Sequence, residues 1–377
     1  MADTICLAAN ALNFPNSGGN LWAFLNWALG LRALGCRVIW LEVVEGADYE
    51  REVPDLVKAL KSRLAAFDFG ESAALCLCNG ETLPASCTQG CVSMEEAGEA
   101  DLLLSMHYGP CFDVFKRFRR SALLDIDPGL LQIWVHERQL NLPAYDVYFT
   151  IGETVGLPGA PFPDLGVKWE YTPPCVALDW WPARQNTQGG AFTTVSQWYS
   201  GEWVQFRDQL YPNDKRTGFK PFLDLPRHTS QPLELAISLE KNKCEDEWAD
   251  LLNRGWRLRN SFEVTTTPLQ YQSYIQSSLG EFSCAKPSYV GLQTAWISDR
   301  SLCYLASGKP AVVQHTGPSR FLPDDAGLFR FRDVAEAACH LEIVAGDYER
   351  QCSLARALAE EYFDARKVVR RVLERAL

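Results

Sequence analysis

The sequence has little positive charge for its length. Lysine and arginine contribute 36 residues and aspartate and glutamate 47, so the formal net charge is −11 over 377 residues. A surface that binds nucleic acid needs a basic stripe. The charge balance therefore argues against nucleic acid as a partner, although it does not exclude a local basic patch.

The sequence also lacks a targeting signal and a long apolar run. A secretory signal begins with a basic segment, whereas the first four residues, MADT, contain no basic side chain. The most apolar stretch, 21–34, includes Asn26 and Arg32 and is shorter than the roughly 20 residues that span a bilayer. We expect a cytoplasmic protein without a transmembrane helix.

Thirteen cysteines are present, and nothing indicates a secreted protein in which they would form disulfides. Four of them lie close together, at Cys76, Cys78, Cys87 and Cys91. Four thiolates can bind structural zinc, but the first two are separated by one residue rather than the usual two, within an apolar pattern typical of a strand. Reduced structural thiols are the favoured interpretation, with a zinc site as the alternative.

Length and composition predict two domains. A chain of 377 residues is long for one hydrophobic core, and a hydrophobic content of 47% is sufficient for two. Residues 171–190 are rich in proline and glycine, which is typical of a linker. We expect an N-terminal domain over 1–171, a C-terminal domain over 191–346 and terminal helices over 347–377.

Short apolar runs alternate with helical patterns, which predicts an α/β fold with doubly wound parallel sheets. The first unit is a strand, a loop containing two glycines, a helix at 21–34 and a second strand, for which a right-handed crossover is expected. A further helix is predicted at 55–66. The predicted strands are 4–9, 38–42, 102–105, 121–126 and 147–151 in the first half, and 192–195, 233–238, 262–265 and 311–314 in the second.

Residues 277–317 carry the strongest functional signal. A strand is followed by a polar loop, a helix, a Gly-Lys-Pro turn and another strand. Ser298 and Asp299 can cap a helix over 300–307, which Gly308 ends. Because the unpaired amides and the dipole of a helix N-terminus attract phosphate, this segment is typical of one half of a nucleotide-sugar site.

The same segment resembles the donor-binding region of GT-B glycosyltransferases. The string YLASGKP at 304–310 carries the resemblance, and the longer stretch 281–317 is similar to a bacterial, family 1-like branch of these enzymes. Similarity also extends over 18–42 and 192–238. The resemblance implies two Rossmann-like domains that face a cleft, with a C-terminal helix that returns to the N-terminal domain.

One feature of the superfamily is missing. Retaining members often carry two glutamates, separated by seven residues, near the donor helix. The residues at the nearest positions here are Ala295 and Cys303, so the acid pair is absent.

Candidate donor-binding residues follow the strands of the second half. Lys241 and Lys286 come after predicted strands, and Arg300 lies in the first turn of the capped helix, where cations can stabilise a leaving diphosphate. Each lysine could instead be a solvated surface charge, and Arg300 could pair with an acid. The remaining candidates offer hydroxyls, amides, a carboxylate for the sugar and an imidazole: Ser298, Ser301, Asp299 and His315.

The acid–base group is expected from the N-terminal half. His107 follows a predicted strand and has an ordinary pKa near neutrality, while Asp125 and Asp127 compete for the same role. Glu153 belongs to the same rim, because functional groups gather at the carboxyl ends of parallel strands. The resemblance assigns one loop to the sugar or the acceptor, formed by Ser17, Gly18, Gly19 and Asn20.

Asp125 and Asp127 also form an Asp-Ile-Asp pattern, by which GT-A glycosyltransferases hold a divalent metal. Two carboxylates suit a hard cation, but a GT-A enzyme does not need a second sheet with its own phosphate helix. We therefore expect no metal and no cofactor, with a UDP-sugar or another nucleotide-sugar as the co-substrate.

These residues predict a metal-independent glycosyltransferase that moves a sugar from a nucleotide-diphosphate sugar to an acceptor. Two alternatives stay open: a nucleotide-sugar binding protein of the same shape without turnover, and a sugar-nucleotide epimerase. Polar candidates on both rims favour transfer, since a binding protein needs no acid–base group. The acceptor, the sugar, the nucleotide, the stereochemical outcome and the oligomeric state are not identified by the sequence.

Overall fold

The fold is built on two parallel sheets, one in each half of the chain. The structure is a computed structural model that describes residues 3–44, 49–81, 83–109, 111–184, 190–200, 203–238 and 244–377. Over these ranges the first half forms a seven-stranded sheet and the second a six-stranded sheet with a separate hairpin. No helix in the described ranges is both long enough and apolar enough to cross a membrane.

The first sheet consists of short, mostly apolar strands. They are β1 Thr4–Ala9, β2 Arg37–Val44, β3 Ala73–Leu77, β4 Leu102–Ser105, β5 Ser121–Asp125, β6 Val147–Thr150 and β7 Trp169–Tyr171. Their order is β3-β2-β1-β4-β5-β6-β7, and neighbouring strands are parallel. The central strands are buried on both faces, as expected for a parallel sheet covered by helices.

Helices follow the strands of the first sheet. They are α1 Gly18–Ala33, α2 Tyr49–Ala65, α3 Ala85–Thr88, α4 Met94–Gly98, α5 Phe112–Phe115 and α6 Leu130–His136. The hydroxyl of Ser17 accepts the amide hydrogen of Asn20 at 3.3 Å and so caps α1. The predicted strand–loop–helix–strand unit at the start of the chain is confirmed.

The second sheet repeats this construction. Its strands are β8 Phe192–Ser196, β11 Leu233–Ile237, β12 Arg257–Asn260, β13 Gly280–Ser283, β14 Ala311–Gln314 and β15 Leu328–Phe331, and the hairpin is β9 Trp203–Phe206 with β10 Gln209–Pro212. The sheet order is β12-β11-β8-β13-β14-β15. Counted along each half, both sheets therefore begin 3-2-1-4-5-6, the order of dinucleotide-binding folds.

The helices of the second half are α7 Lys215–Phe219, α8 Glu245–Asn253, α9 Ser261–Val264, α10 Pro268–Ser277, α11 Pro287–Leu292, α12 Asp299–Ala306 and α13 Val334–Gly346. Two short 3-10 helices, Lys220–Phe222 and Leu225–Arg227, follow α7. The hydroxyl of Ser298 accepts the amide hydrogen of Arg300 at 3.3 Å, so the predicted capped helix is confirmed.

The strand predicted at 262–265 is wrong, because this segment begins as α9. The side chain of Asn260 accepts the amide hydrogen of Phe262 at 3.1 Å and caps the short helix. The strand lies one step earlier, at β12, where charged and apolar residues alternate on an edge strand. An edge strand is half exposed and lacks the continuous apolar run that marks the buried strands.

The tail returns to the first half. It comprises α14 Tyr348–Leu358, a π-helical turn Ala359–Phe363 and α15 Ala365–Ala376. The amide of Val176 donates to the carbonyl of Phe363 at 2.8 Å, and a Cβ at Gly30 of α1 would lie 2.9 Å from side-chain atoms of Ala365 and Val369. The predicted architecture of two Rossmann-like units is confirmed, while the boundaries at 171, 191 and 347 stay a prediction.

Aromatic side chains pack together where the two halves of the chain meet. Trp22 of α1 packs against Trp181 with ring centroids 4.7 Å apart, and Trp181 meets Tyr271 of α10 edge to face. The indole nitrogen of Trp22 also donates to the carbonyl of Pro268 at 2.8 Å. A single hydrophobic cluster therefore contains residues from both halves.

Candidate functional site

The second sheet divides between β8 and β13, where consecutive crossovers run in opposite directions. Ligands of open α/β sheets bind outside the carboxyl ends of the strands at such a division. The helix α12 begins beside it, and the guanidinium of Arg300 in its first turn donates to the carbonyl of Val195 in β8 at 3.0 Å. The predicted donor helix is thus anchored to the position that the topology favours.

Arg300 is held by an acid, which is the alternative that the sequence left open. Its Nε lies 2.8 Å from Oε1 of Glu281, and a terminal nitrogen donates to the hydroxyl of Ser283 at 2.9 Å. Glu281 is fully buried, so the pair is shielded from water. Arg300 therefore sets the shape and the charge of this edge from within the protein, with most of its donors already used.

Lys215 is the functional candidate that the sequence did not reveal. Its ammonium donates to the carbonyl of Cys284 at 2.6 Å, just beyond the end of β13. Burial, and then the charges of Arg300 and Lys286, lower the pKa of Lys215 to about 7. The half-buried Lys286 begins α11 at the same edge, so three cations surround the point where β13 ends.

Local sequence explains how Lys215 reaches this edge. Asp214 caps α7 by accepting the amide hydrogen of Thr217 at 2.8 Å. A Cβ at Gly218 would lie 2.1 Å from the carbonyl oxygen of Ala285, so only glycine allows α7 to pack so closely. The string Asp-Lys-x-x-Gly is a weak signal by itself, since the contact partner lies about 70 residues further along the chain.

The other donor candidates lie in different settings. Ser298 and Ser301 are buried at the start of α12, and burial raises the pKa of Asp299 beside them. His315 follows β14, where its Nδ1 accepts the amide hydrogen of Gly317 at 3.2 Å, and burial together with Arg332 and Arg330 lowers its pKa. Lys241 lies outside the described residues.

The carboxyl edge of the first sheet carries carboxylates. Asp125 is fully buried at the end of β5 and accepts hydrogen bonds from Gln132 at 2.9 Å and from the hydroxyl of Thr150 at 2.8 Å. Burial raises its pKa to about 7. Asp127 is half-buried, and its amide donates to Asp125 at 3.0 Å. The buried Asp125 therefore holds the backbone of Asp127 in place.

His107 lies beyond β4, next to the point where β1 and β4 diverge. The ring nitrogen Nδ1 accepts the amide hydrogen of Gly109 at 3.0 Å. A neutral imidazole that accepts at Nδ1 carries its proton on Nε2. This hydrogen bond orients the His107 ring, and its role as an acid–base group stays a prediction.

The loop between β1 and α1 is shaped by Glu42 and closed by the second half. The buried carboxylate of Glu42 accepts amide hydrogens from Ala11 and Leu12, and burial raises its pKa to about 6. The amide of Gly18 donates to the carbonyl of Thr265 at 2.9 Å. The loop Ser17, Gly18, Gly19 and Asn20 thus packs on the C-terminal half, where a Cβ at Gly18 would lie 2.2 Å from the carbonyl oxygen of Thr267.

Two further contacts cross the cleft. The hydroxyl of Tyr289 in α11 donates to Asp127 at 2.8 Å, and its ring stacks on Trp296 at 4.3 Å. The buried carboxylate of Glu153 accepts hydrogen bonds from the hydroxyl of Ser319 and from the amide of Arg320. The cationic edge of the second sheet and the carboxylate edge of the first therefore face each other across a short distance.

The segment between Tyr289 and α12 lies within this cleft. Gln293 and Ala295 have positive φ angles of 52° and 57°, which non-glycine residues seldom adopt. The carbonyl of Thr294 between them accepts the amide hydrogen of Glu153 at 3.0 Å. Ala295 stands at the position of the first missing glutamate. Cys303 stands at the position of the second and is buried in α12.

The structure changes the interpretation of the clustered cysteines. Cys78 forms a disulfide with Cys111, while Cys76, Cys87 and Cys91 are free. The expectation that all thiols are reduced is therefore wrong for Cys78, because the fold brings the end of β3 next to the start of α5. Across the described residues, no group of three or more histidine, cysteine or acidic side chains is arranged to hold a metal ion.

Comparison with known proteins supports the fold through structure alone. No family model matches the chain, and no curated protein matches it in sequence. Solved structures do match over nearly the whole length. The Anabaena protein HepE in complex with UDP and glucose aligns over 99% of both chains at 10% identity and a TM-score of 0.58. The chain has the GT-B fold.

Two more structures agree. An alpha-glucosyltransferase in complex with UDP-glucose and DNA containing an abasic site aligns over 100% of this chain and 99% of its own at 9% identity, with a TM-score of 0.64. Sucrose-phosphate synthase from Thermosynechococcus elongatus aligns over 99% and 98% at 10% identity, with a TM-score of 0.58. The resemblance to GT-B proteins noted in the sequence is thereby confirmed at the level of fold.

Proposed function

We propose that this protein is a glycosyltransferase that moves a sugar from a nucleotide-diphosphate sugar to an acceptor hydroxyl. The observation that carries the proposal is the meeting of cations at the switch point of the second sheet, Lys215, Lys286 and Arg300, opposite Asp127 on the first sheet. Solved structures of the same fold contain UDP or UDP-glucose, which supports a UDP-sugar as the first donor to test.

In this proposal the C-terminal half stabilises the leaving group. Negative charge develops on the diphosphate as the glycosidic bond breaks, so fixed cations and helix amides lower the barrier. Lys215 and Lys286 bind the phosphates, and the amides at the start of α12 add the field of a helix N-terminus. Arg300 acts through its buried pair with Glu281, and Asp299, Ser298 and Ser301 offer partners for the sugar or the ribose.

The N-terminal half presents the acceptor. Asp127 is the half-buried carboxylate that faces the donor edge, so we assign it the role of accepting or orienting the hydroxyl proton. His107 is the competing candidate for this role, with its ring oriented by the hydrogen bond that Nδ1 accepts from Gly109. Holding both reactants across one cleft replaces a bimolecular encounter with a fixed geometry.

The residues do not fit a metal bound by the Asp-Ile-Asp pattern. The oxygens of Asp125 accept hydrogen bonds from Gln132, Thr150 and the amide of Asp127. A cation at this place would have to displace these donors from a fully buried carboxylate. We therefore propose a metal-independent reaction, and activity should survive chelation by EDTA.

The proposal also assigns the domains. The first sheet with its helices, 1–171, presents the acceptor, and 191–346 binds the nucleotide-sugar. The helices of 347–377 pack back on the first half, which their contacts with α1 and Val176 support. Expression of 1–171 with 347–377 fused behind it should yield a more stable fragment than 1–171 alone, as measured by thermal unfolding.

The experiment that tests the function separates binding, transfer and hydrolysis. Calorimetry with UDP-glucose and a panel of other nucleotide-sugars identifies the donor, and nucleoside diphosphate release is then followed with and without candidate acceptors. Release that depends on an acceptor supports transfer. Tight binding without turnover supports a binding protein without catalysis. Release of free sugar with an epimerised product supports an epimerase. If the protein binds none of the nucleotide-sugars, the proposal is overturned.

A further inference from the structure

A cavity of about 390 Å³ lies between the two halves where the tail returns. Its walls come from β6 and β7, from the loop after β14 and from the tail, with Phe149, Thr172, Leu322 and Phe363 among them. The volume is that of a small-molecule site. None of the residues assigned above to the donor or the acceptor lines it.

Two stacked rings form one wall of this cavity. Tyr171 of β7 and Phe321 of the loop after β14 have centroids 5.3 Å apart and planes within 5° of parallel. They belong to different halves of the chain, and Phe321 keeps 47% of its surface exposed. The guanidinium of Arg320 lies over the Phe321 ring, 5.1 Å from its centroid, so both faces of that ring are covered. A flat apolar ligand can pack against the edges of the stacked pair, because aromatic rings also favour edge-to-face contact.

The cavity also carries a cation without a partner. Arg371 and Arg375 of α15 both line it. Arg375 pairs with Glu170 at 2.6 Å, whereas Arg371 makes no hydrogen bond or ion pair with any residue that the structure describes. The acid in the lining, Glu361, interacts with the hydroxyl of Tyr362. Arg371 is exposed to solvent at the rim of the apolar space, and no acid among the described residues pairs with it.

We propose that this cavity binds a small, flat, apolar anion, such as an aromatic carboxylate or sulfonate. Its ring packs edge to face against the pair of Tyr171 and Phe321, and its anionic group pairs with Arg371. The proposal goes beyond glycosyl transfer and does not depend on it.

Such a ligand would bias the arrangement of the two halves. The loop that supplies Phe321 also supplies Ser319 and Arg320, which hold the carboxylate of Glu153 on the first half. An occupant that contacts Tyr171, Phe321 and Arg371 together requires the halves to be closed. A ligand shifts a conformational equilibrium by its difference in affinity for the two states, so binding here favours closure.

Two fluorescent probes of matched shape test the site. One is 8-anilinonaphthalene-1-sulfonate, and the other is N-phenyl-1-naphthylamine, which lacks the sulfonate. The wild-type protein should bind one molecule of either probe, with the sulfonate bound about tenfold more tightly because a charge-assisted contact is added. Arg371→Gln should abolish this preference and leave the affinity for the neutral probe within about twofold.

Control variants locate the binding. Arg370→Gln removes the neighbouring exposed charge of α15, which does not line the cavity, and should leave both affinities unchanged. Leu322→Trp places a large ring in the cavity from its loop and should weaken both probes by more than about tenfold. Phe321→Ala, at an exposed position, should weaken both by about fivefold through loss of the ring contact.

The outcomes that overturn the proposal are equally definite. If Phe321→Ala and Leu322→Trp bind both probes as the wild type does, the cavity is not the site. Should Arg371→Gln retain the full preference for the sulfonate, the site does not select an anion through this arginine. Circular dichroism and thermal unfolding of each variant establish that the fold is intact.

Discussion

The two sheets share a strand order, but their carboxyl edges carry opposite charge: the second edge carries cations and the first carries carboxylates. Lys215, Lys286 and Arg300 surround the switch point of the second sheet, while Asp125 ends the fifth strand of the first and Asp127 lies two residues beyond it. A common topology thus provides a place for ligands, and the residues that follow the strands determine the chemistry. In the proposed reaction the cations would meet the leaving group and the carboxylates the attacking hydroxyl.

Each edge also contains one charge that is bonded to several protein groups and one, Lys215 or Asp127, that is half-buried. Arg300 is bonded to Glu281, Ser283 and Val195, and Asp125 is bonded to Gln132 and Thr150. Asp125 also accepts the amide hydrogen of its outer neighbour Asp127. The outer charges, Lys215 and Asp127, are the ones expected to meet the substrates, so substitutions at these two positions test the comparison most directly.

The largest effect is expected at the carboxylate edge. Asp127→Asn removes the group that accepts the hydroxyl proton, so turnover should fall by about 10²–10⁴. Donor affinity should stay near normal, because the donor binds to the other edge. Steady-state kinetics and calorimetry measure the two quantities, and Asp55→Asn on the exposed face of α2 is the matched control. Full activity in Asp127→Asn would move the role to another group.

The next effect is expected at the cationic edge. Lys215→Met removes a charge that is worth about 1.5–3 kcal/mol to a bound diphosphate, so the Kd for the donor should rise by more than about tenfold. Lys220→Met, five residues further on and exposed, should leave the Kd unchanged. A donor Kd that is equal in Lys215→Met and in the wild type would contradict the assignment of this edge.

The pKa of Lys215 predicts how donor binding depends on pH. Because burial and neighbouring cations lower this pKa to about 7, the free protein loses the charge as the pH rises through neutrality. The diphosphate favours the protonated lysine, so donor affinity should fall above about pH 7 by up to about tenfold per pH unit, one proton being linked to binding. UDP-glucose is suitable because its diphosphate does not titrate in this range.

The same measurement in Lys215→Met identifies the titrating group. The slope above neutrality should disappear in that variant and persist in Lys220→Met. A slope that survives the loss of Lys215 would assign the titration to another residue at the edge.

The smallest effect concerns the contact between the edges. Tyr289→Phe removes the hydrogen bond to Asp127 and keeps the ring that stacks on Trp296. Loss of one hydrogen bond worth about 1 kcal/mol should lower turnover by about fivefold. Comparison of kcat in Tyr289→Phe and Asp127→Asn shows whether the tyrosine only orients the carboxylate. Equal losses in the two variants would make Tyr289 as important as the acid itself.

Most of the fold could be predicted from the sequence because buried parallel strands are short apolar runs. The strands 4–9, 102–105 and 311–314 have the predicted bounds. The segment 262–265 was misassigned because Asn260 caps a helix there, and β12, an exposed edge strand, lacks the apolar run. The disulfide between Cys78 and Cys111 depends on two elements that are adjacent only in the folded chain.

The sequence by itself determined the two α/β halves, the capped donor helix and the carboxylates of the first rim. These features are local, since periodicity, caps and turn residues act over a few positions. Only the tertiary structure decided that Lys215 reaches the donor edge, that Arg300 is held by Glu281, and that Tyr289 meets Asp127. The last contact joins residues 162 positions apart, and such pairings arise from the packing of whole elements, for which a single sequence contains no short-range signal.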